Sequence, residues 1–562
     1  MKPVNATVVS FGFVCRRAVP TLAFLISACG GEEPPDLQEL ADDALNEEES
    51  AYEELLEAID ELDANDGLDH LDQRAITEWA SDGVMEERLP FLFDHGDELT
   101  ELQFTAADGI GSLKTFSRFS RYPTEGLFTG PNASSCGSCH DQPLGNGAGL
   151  NVANVVQDPE PGVAGTFNVR NTRNMNGDAW LQIASVEMTI DLQQLYTTLK
   201  EGAAAAGGER RSVELESKGI SFGSLECWLE ASLTPAAVQC DYGNVEGVSI
   251  DLVVRMGGWK GNHATIRAFS EDAFFGEMGI HSDRFAYHVA DPRLALPDDI
   301  HLDPPDVDED GVTHEMSVGD LTALTLYLAA QAPPTTLLTL RDEGKLRLSA
   351  EQEARINRGA EAFSSVGCDS CHVSALRVET SVYAEPDGRR PAFYDVPLAE
   401  TDNGYDVEQP VLMDLASSEV VERHLPAVLD GTDRYFAVPA MTDLKRHFLG
   451  EHLCDEAKTY TPVSASHVPA QVPADAVDRG VSMAIDRCEF MTADLWGIGG
   501  TAPYMHDGRA TTLREAISSH CSSGERVGQA NATCEAFEGL PGEDQDDLIA
   551  FLRNQVMEPE PE

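Results

Sequence analysis

Two five-residue stretches decide the fold: Cys136-Gly137-Ser138-Cys139-His140 and Cys368-Asp369-Ser370-Cys371-His372. Each reads C-x-x-C-H, the attachment pattern of a c-type haem. Thiols at that spacing add across the two vinyl groups of the porphyrin. The adjacent histidine is then held beneath the iron as proximal ligand, and one axial position is left for a sixth ligand or for chemistry. A single motif would also suit a redox thiol pair or half of a zinc site. Two motifs, each followed by His, with no third C-x-x-C to complete a zinc tetrahedron, point to two covalent haems.

The remaining cysteines agree with an exported chain, where thiols are paired, metal-bound or modified. Arg16 and Arg17 precede an apolar run from Ala18 to Ala28, the length of a signal-peptide core and too short to span a bilayer. The run ends Ile26-Ser27-Ala28-Cys29-Gly30, which resembles the lipobox of bacterial lipoproteins, so Cys29 is expected to carry lipid and residues 1–28 to be removed. Covalent haem attachment implies export of an unfolded chain, so Arg16-Arg17 is not read as a folded-protein export signal. The expected location is periplasmic, held by lipid chains at the membrane, the outer membrane being favoured, with no spanning segment. Six cysteines remain: Cys227, Cys240, Cys454, Cys488, Cys521 and Cys534. Six allow 15 pairings. The three shortest loops, Cys227–Cys240, Cys454–Cys488 and Cys521–Cys534, are the pairing expected.

The chain has 562 residues and a formal charge of −59. No Lys/Arg cluster interrupts that charge, so nucleic acid is excluded as a partner. The acid is uneven: residues 31–100 hold 25 Asp and Glu against Arg74 and Arg88 alone, a local balance of −23. Residues 29–110 therefore read as a lipid-anchored acidic tether with helices. The haem motifs divide the rest into a first cytochrome-c-like domain at 111–340, with insertions, and a second at 341–562. The expected class is mainly α with few short strands. Ser349 caps a helix leading to Cys368, a second helix closes at Glu543–Leu552, and the Pro- and Gly-rich region 374–440 reads as loops.

The C-terminal part carries Met441-Thr442-Asp443-Leu444-Lys445-Arg446-His447 and then the continuous stretch from Phe490 through Trp496-Gly497-Ile498-Gly499-Gly500 and Tyr504-Met505-His506-Asp507-Gly508-Arg509 to Ile517. This resembles the C-terminal signature of bacterial di-haem cytochrome c peroxidases, closest to the di-haem oxidoreductase branch often labelled thiol oxidoreductase. The resemblance runs from about 113 to 554 and is weak between 190 and 310.

The resemblance implies further residues. A sixth ligand of the second haem is expected fourteen residues after His506, where the family commonly has Met and this chain has His520, with Met505 and Met491 as rivals. A bis-His iron would sit at lower potential than a His/Met one. His506, Arg509 and His447 are expected to support haem, through propionate contacts for the guanidinium and imidazoles, although Arg509 would equally pair with a local carboxylate. After His140, the segment Trp180 to Met188 resembles the distal segment of the peroxidases. It makes Glu187 the expected acid/base, Gln182 its helper, and Trp180 either an electron relay or simply core.

The acidic loop Asp306-Val307-Asp308-Glu309-Asp310-Gly311 suits calcium through Asp306, Asp308 and Asp310, or is a plain acidic turn. The expected function is an extracytoplasmic di-haem peroxidase that takes electrons from a donor protein or small redox molecule through the His372 haem to the His140 haem. The alternatives are a di-haem electron carrier without peroxidase activity and a di-haem oxidase acting on a protein or organic substrate.

Overall fold

Amphipathic stretches closed by good caps lay down ten α-helices among the described residues. In the computed structural model these are 70–557, apart from 111–132, 144, 150–153, 158–166, 233–235, 284–310, 387–408, 457–458, 464–480 and 523. The signal peptide, Cys29, the tether up to residue 69 and the loop of Asp306, Asp308 and Asp310 lie outside the described residues. The helices are α1 (Gln73–Ser81), α2 (Met85–Glu101), α3 (Asp178–Ala205), α4 (Ile266–Ala273) and α5 (Val318–Ala330). They continue as α6 (Leu337–Asp342), α7 (Ala350–Ser365), α8 (Leu513–Ser518), α9 (Asn531–Glu538) and α10 (Gly542–Arg553). No helix among them is long and apolar enough to cross a membrane.

Caps explain where several of these begin. Ser349 accepts from the Gln352 amide while the Gln352 side chain accepts from the Ser349 amide, a reciprocal box that starts α7 where the sequence places a helix. Ser317 and Asp320 do the same for α5, which is apolar almost all round and is buried along nearly its whole length. Helix α7 crosses α10 close to the second C-x-x-C-H turn. The approach is so tight that a Cβ at Gly359 would lie 2.0 Å from the Asp547 carbonyl oxygen. Asp547 also accepts from Arg355 Nε (2.8 Å) and Arg358 Nε (2.6 Å), tying the two helices at the same level.

The expectation of few strands is corrected. Among the described residues, sixteen strands form seven sheets of two or three strands each. One antiparallel meander, 211–217, 220–230 and 237–241, packs on α3, and Cys227 sits directly opposite Cys240 in its register. The region read as loops carries strands at 376–378, 382–385, 411–414, 427–430 and 433–438. Strands of three to six residues are too short for a clear period-two signal, and the Pro and Gly that suggested loops belong to the turns between them.

A large core gathers α2, α3 and α5 with Trp180, Phe436 and Trp496. A smaller one, with Phe363, Met441, Leu495, Leu513, Phe537 and Leu548, lies beside the second C-x-x-C-H turn. The six remaining cysteines pair as Cys227–Cys240, Cys454–Cys488 and Cys521–Cys534, as expected from the short loops.

Candidate functional site: two C-x-x-C-H turns

Both motifs fold as one turn of 3-10 helix, Cys136–Ser138 and Cys368–Ser370. In each, the amide of the histidine returns to the carbonyl of the first cysteine, at 2.9 Å from His140 to Cys136 and 3.0 Å from His372 to Cys368. The turn thus gathers two thiols and one imidazole on a short arc. All four thiols are outside any disulfide. Burial pushes Cys136 and Cys368 up to about 12 and Cys139 up to about 11, so these three are protonated thiols and poor nucleophiles as they stand.

The two histidines are held in the same way. His140 Nδ1 lies 2.9 Å from the Gly147 carbonyl oxygen, and His372 Nδ1 lies 3.0 Å from that of Met441. A carbonyl only accepts, so Nδ1 carries the proton in both rings and Nε2 keeps a lone pair. That is the tautomer a histidine needs to ligate a metal through Nε2, with the other nitrogen anchored by the chain. Burial lowers both pKa values, His372 to about 4, so neither ring competes for a proton at neutral pH. The donor set, two thiols with an oriented neutral imidazole, fits a c-type haem at each turn.

His520 repeats this arrangement. It follows α8, where its Nδ1 donates to the Ala516 carbonyl at 2.9 Å, leaving Nε2 open. It is buried enough to lower its pKa, and a charge on it would be felt at His372. Met491, one rival ligand, is buried against Gly261.

Other expected residues meet protein partners. His447 Nε2 lies 2.7 Å from Asp443 Oδ2, with Cys371 Sγ in the same cluster. Burial opposes its charge, but the hydrogen bonds and charges of Asp443 and Cys371 together outweigh it and lift the pKa to about 10. Arg509 pairs with Asp507 through Nε at 2.7 Å and donates to the His452 carbonyl at 2.8 Å, the local-carboxylate alternative. His506 stacks on Phe490 with ring centroids 4.1 Å apart, and burial lowers its pKa to about 4. Its carbonyl accepts from the Asn171 amide at 2.7 Å, so the family-like stretch is laced to the first half of the chain.

Sequence reading did not foresee the charged knot beneath that stretch. Arg170 makes a two-pronged pair with Asp455, both bonds 2.8 Å, and buried Lys260 lies 3.5 Å from the same carboxylate. Lys260 also caps the Asp486 and Arg487 carbonyls and sits 4.1 Å above Phe490, while burial lowers its pKa to about 8. The neighbouring Cys454–Cys488 disulfide was the one sequence signal near this place.

On α3, Trp180 is buried with its ring 5.3 Å from Phe436. Gln182 Oε1 accepts from the Ile266 amide at 2.8 Å. Glu187 is engaged: Lys218 Nζ lies 2.5 Å away, and its Oε1 accepts from the Glu379 amide at 3.0 Å. The first turn of α3 holds an acid the sequence reading passed over. Burial raises Asp178 to about 8 against the pull of Arg173.

Residues 475–555 match the family model described as "Di-haem oxidoreductase, putative peroxidase". The resemblance read from the sequence is therefore shown over that region. No curated protein matches the chain. Among solved structures, a MauG-like protein associated with microbial copper homeostasis is 17% identical, covering 57% of this chain and 77% of its own, with a TM-score of 0.24. A variant of the diheme peroxidase BthA from Burkholderia thailandensis is 14% identical, covering 83% and 86% respectively, with a TM-score of 0.30. Scores of that size carry no inference about this chain.

Proposed function

We infer, from the match of residues 475–555 to the di-haem oxidoreductase family, that the chain is a di-haem redox enzyme with one c-type haem at each C-x-x-C-H turn, acting as a peroxidase. The observation that carries this reading is the pair of matched histidines, each with Nδ1 on a backbone carbonyl and beside two thiols outside any disulfide. When bound, the haems supply one-electron transfer and, at an iron with an open axial position, reduction of an oxidant.

The chain's own residues do the rest. Cys136 and Cys139, and Cys368 and Cys371, give thioether links, and His140 and His372 hold the irons through Nε2. His520 would be a further protein ligand of the haem at the His372 turn, which would leave the haem at the His140 turn as the place for oxidant. Glu187 gives up or takes a proton only once Lys218 yields its hold on the carboxylate. Gln182 is spent on fixing the Ile266 amide through Oε1, with its amide nitrogen left to orient a bound molecule.

Outside the described residues, Cys29 carries lipid, the mature chain faces the periplasm, and Asp306, Asp308 and Asp310 hold calcium. The donor is a basic redox protein drawn by the acidic surface, or a small redox molecule.

The purified exported protein tests the reading. Its intact mass should exceed that of the polypeptide by two haems, and it should consume peroxide at the expense of a reduced donor. A haem-free chain, or one with two haems that leaves peroxide untouched, overturns the peroxidase reading. The second of these outcomes would turn the assignment to an electron carrier or to an oxidase of another substrate.

A further inference from the structure

Trp496 carries a polar atom that no described residue satisfies. The residue is only 4% exposed, and its indole Nε1, buried, has no hydrogen-bond partner among the described residues. Trp259, by contrast, donates Nε1 to the Asn171 carbonyl at 2.7 Å. Buried indole N–H groups normally find an acceptor.

The position of the ring tells what kind of acceptor is missing. On one side the preceding residue, Leu495, donates its amide to Ala440, next to Met441, whose carbonyl orients His372. On the other side the indole packs against Gly177, where a Cβ would come within 2.6 Å of Cζ3; glycine is required there by contact and by φ +85°. The Gly177 amide donates to the Gln331 carbonyl, and the Gln331 side chain meets Asn146, which precedes the Gly147 carbonyl that orients His140. One ring thus sits in the seam between the supports of both C-x-x-C-H turns.

We propose that the indole N–H of Trp496 donates a hydrogen bond to a haem propionate lying in the seam between the two attachment turns. Trp496 is then a positioning residue. It orients a porphyrin edge and offsets part of a propionate's negative charge, so it tunes that haem's potential without touching the iron. The proposal rests on the di-haem reading above.

The test uses the holoprotein with Trp496→Phe, which keeps an aromatic ring and removes the donor. The variant should keep two haems per chain while the midpoint potential of one haem falls and the pH at which that potential responds to propionate ionisation rises. Both midpoints and both pH profiles unchanged, with two haems still bound, overturn the proposal and leave the di-haem reading intact. A wild-type chain that carries no haem overturns both. Should the variant fail to fold, the ultraviolet resonance Raman marker of indole hydrogen bonding in the wild-type holoprotein reads the same contact. A marker that shifts across the propionate titration supports it, and one indifferent to that titration overturns it.

Discussion

At the scale of single residues, the spacing of thiols and histidines was legible because covalent chemistry dictates it, whereas His520 is proposed as a ligand from a fixed offset in a resembling family. The acceptors that set the tautomers, the Gly147 and Met441 carbonyls, left no trace in the sequence, since a main-chain oxygen looks the same behind every side chain. Replacing His520 by Ala should change the absorption of one haem only, from a low-spin to a high-spin spectrum. Unaltered spectra at both haems would remove His520 from the ligand set. Asp455 is a second test at this scale. Asp455→Ala removes the carboxylate that pairs with both half-buried Arg170 and buried Lys260, and leaves Glu489 as the acid still felt at Lys260. The expected loss is about 3–5 kcal/mol in denaturant unfolding. A change under about 1 kcal/mol would mean that water or the Lys260-bound carbonyls already carry that charge.

At the scale of elements, caps and apolar stripes gave the helices away, as with Ser349 before α7 and the Glu543–Leu552 pattern inside α10. The strands between 374 and 440 stayed hidden. They are held by pairing with distant segments, as when Phe436 meets Val378, and local composition does not record that. The α7–α10 crossing predicts that Gly359→Ala, although favourable for helix propensity, lowers stability by about 1–3 kcal/mol because the new methyl meets the Asp547 carbonyl. A neutral or stabilising effect would show that the helices separate freely.

The junction of α1, α2 and α5 adds a pH prediction. Asp320 accepts from His70 Nδ1 at 2.6 Å, His95 Nε2 at 2.9 Å and the Leu71 amide at 2.8 Å. Burial opposes a charge on His70, but the hydrogen bond and charge of Asp320, the charge of Asp283 and the His314 backbone together outweigh it and raise the pKa above 6.5. Its stabilisation is therefore complete below about 6.5 and fades as pH climbs through the folded value. Burial likewise opposes the Asp320 carboxylate, yet His70 and His95 hold its pKa well below 3.8, so its contribution is present above that value and is lost as pH falls through the folded one. His70→Gln should flatten the alkaline side of the stability curve. An unchanged alkaline limb would show that His70 is neutral in the folded protein.

At the scale of the whole molecule, the −59 charge argues first against nucleic acid and then about the donor. If a basic protein delivers electrons, its association rate should fall steeply as salt rises past about 0.1 M, where screening lengths drop to about 10 Å. A rate indifferent to salt would favour a small redox molecule. The larger architecture rests on a stretch, 490–509, that binds both halves together through Trp259, Asn171 and Lys445. The two C-x-x-C-H turns are therefore tied into one continuous framework, and the proposed function gives the His372 site a second histidine, His520, and leaves the His140 site to the oxidant. Electron paramagnetic resonance of the oxidised holoprotein tests this most directly. The account predicts one low-spin signal from the His372–His520 iron and one high-spin signal from the His140 iron that alone changes when peroxide is added. Two low-spin signals, both unmoved by peroxide, would contradict it.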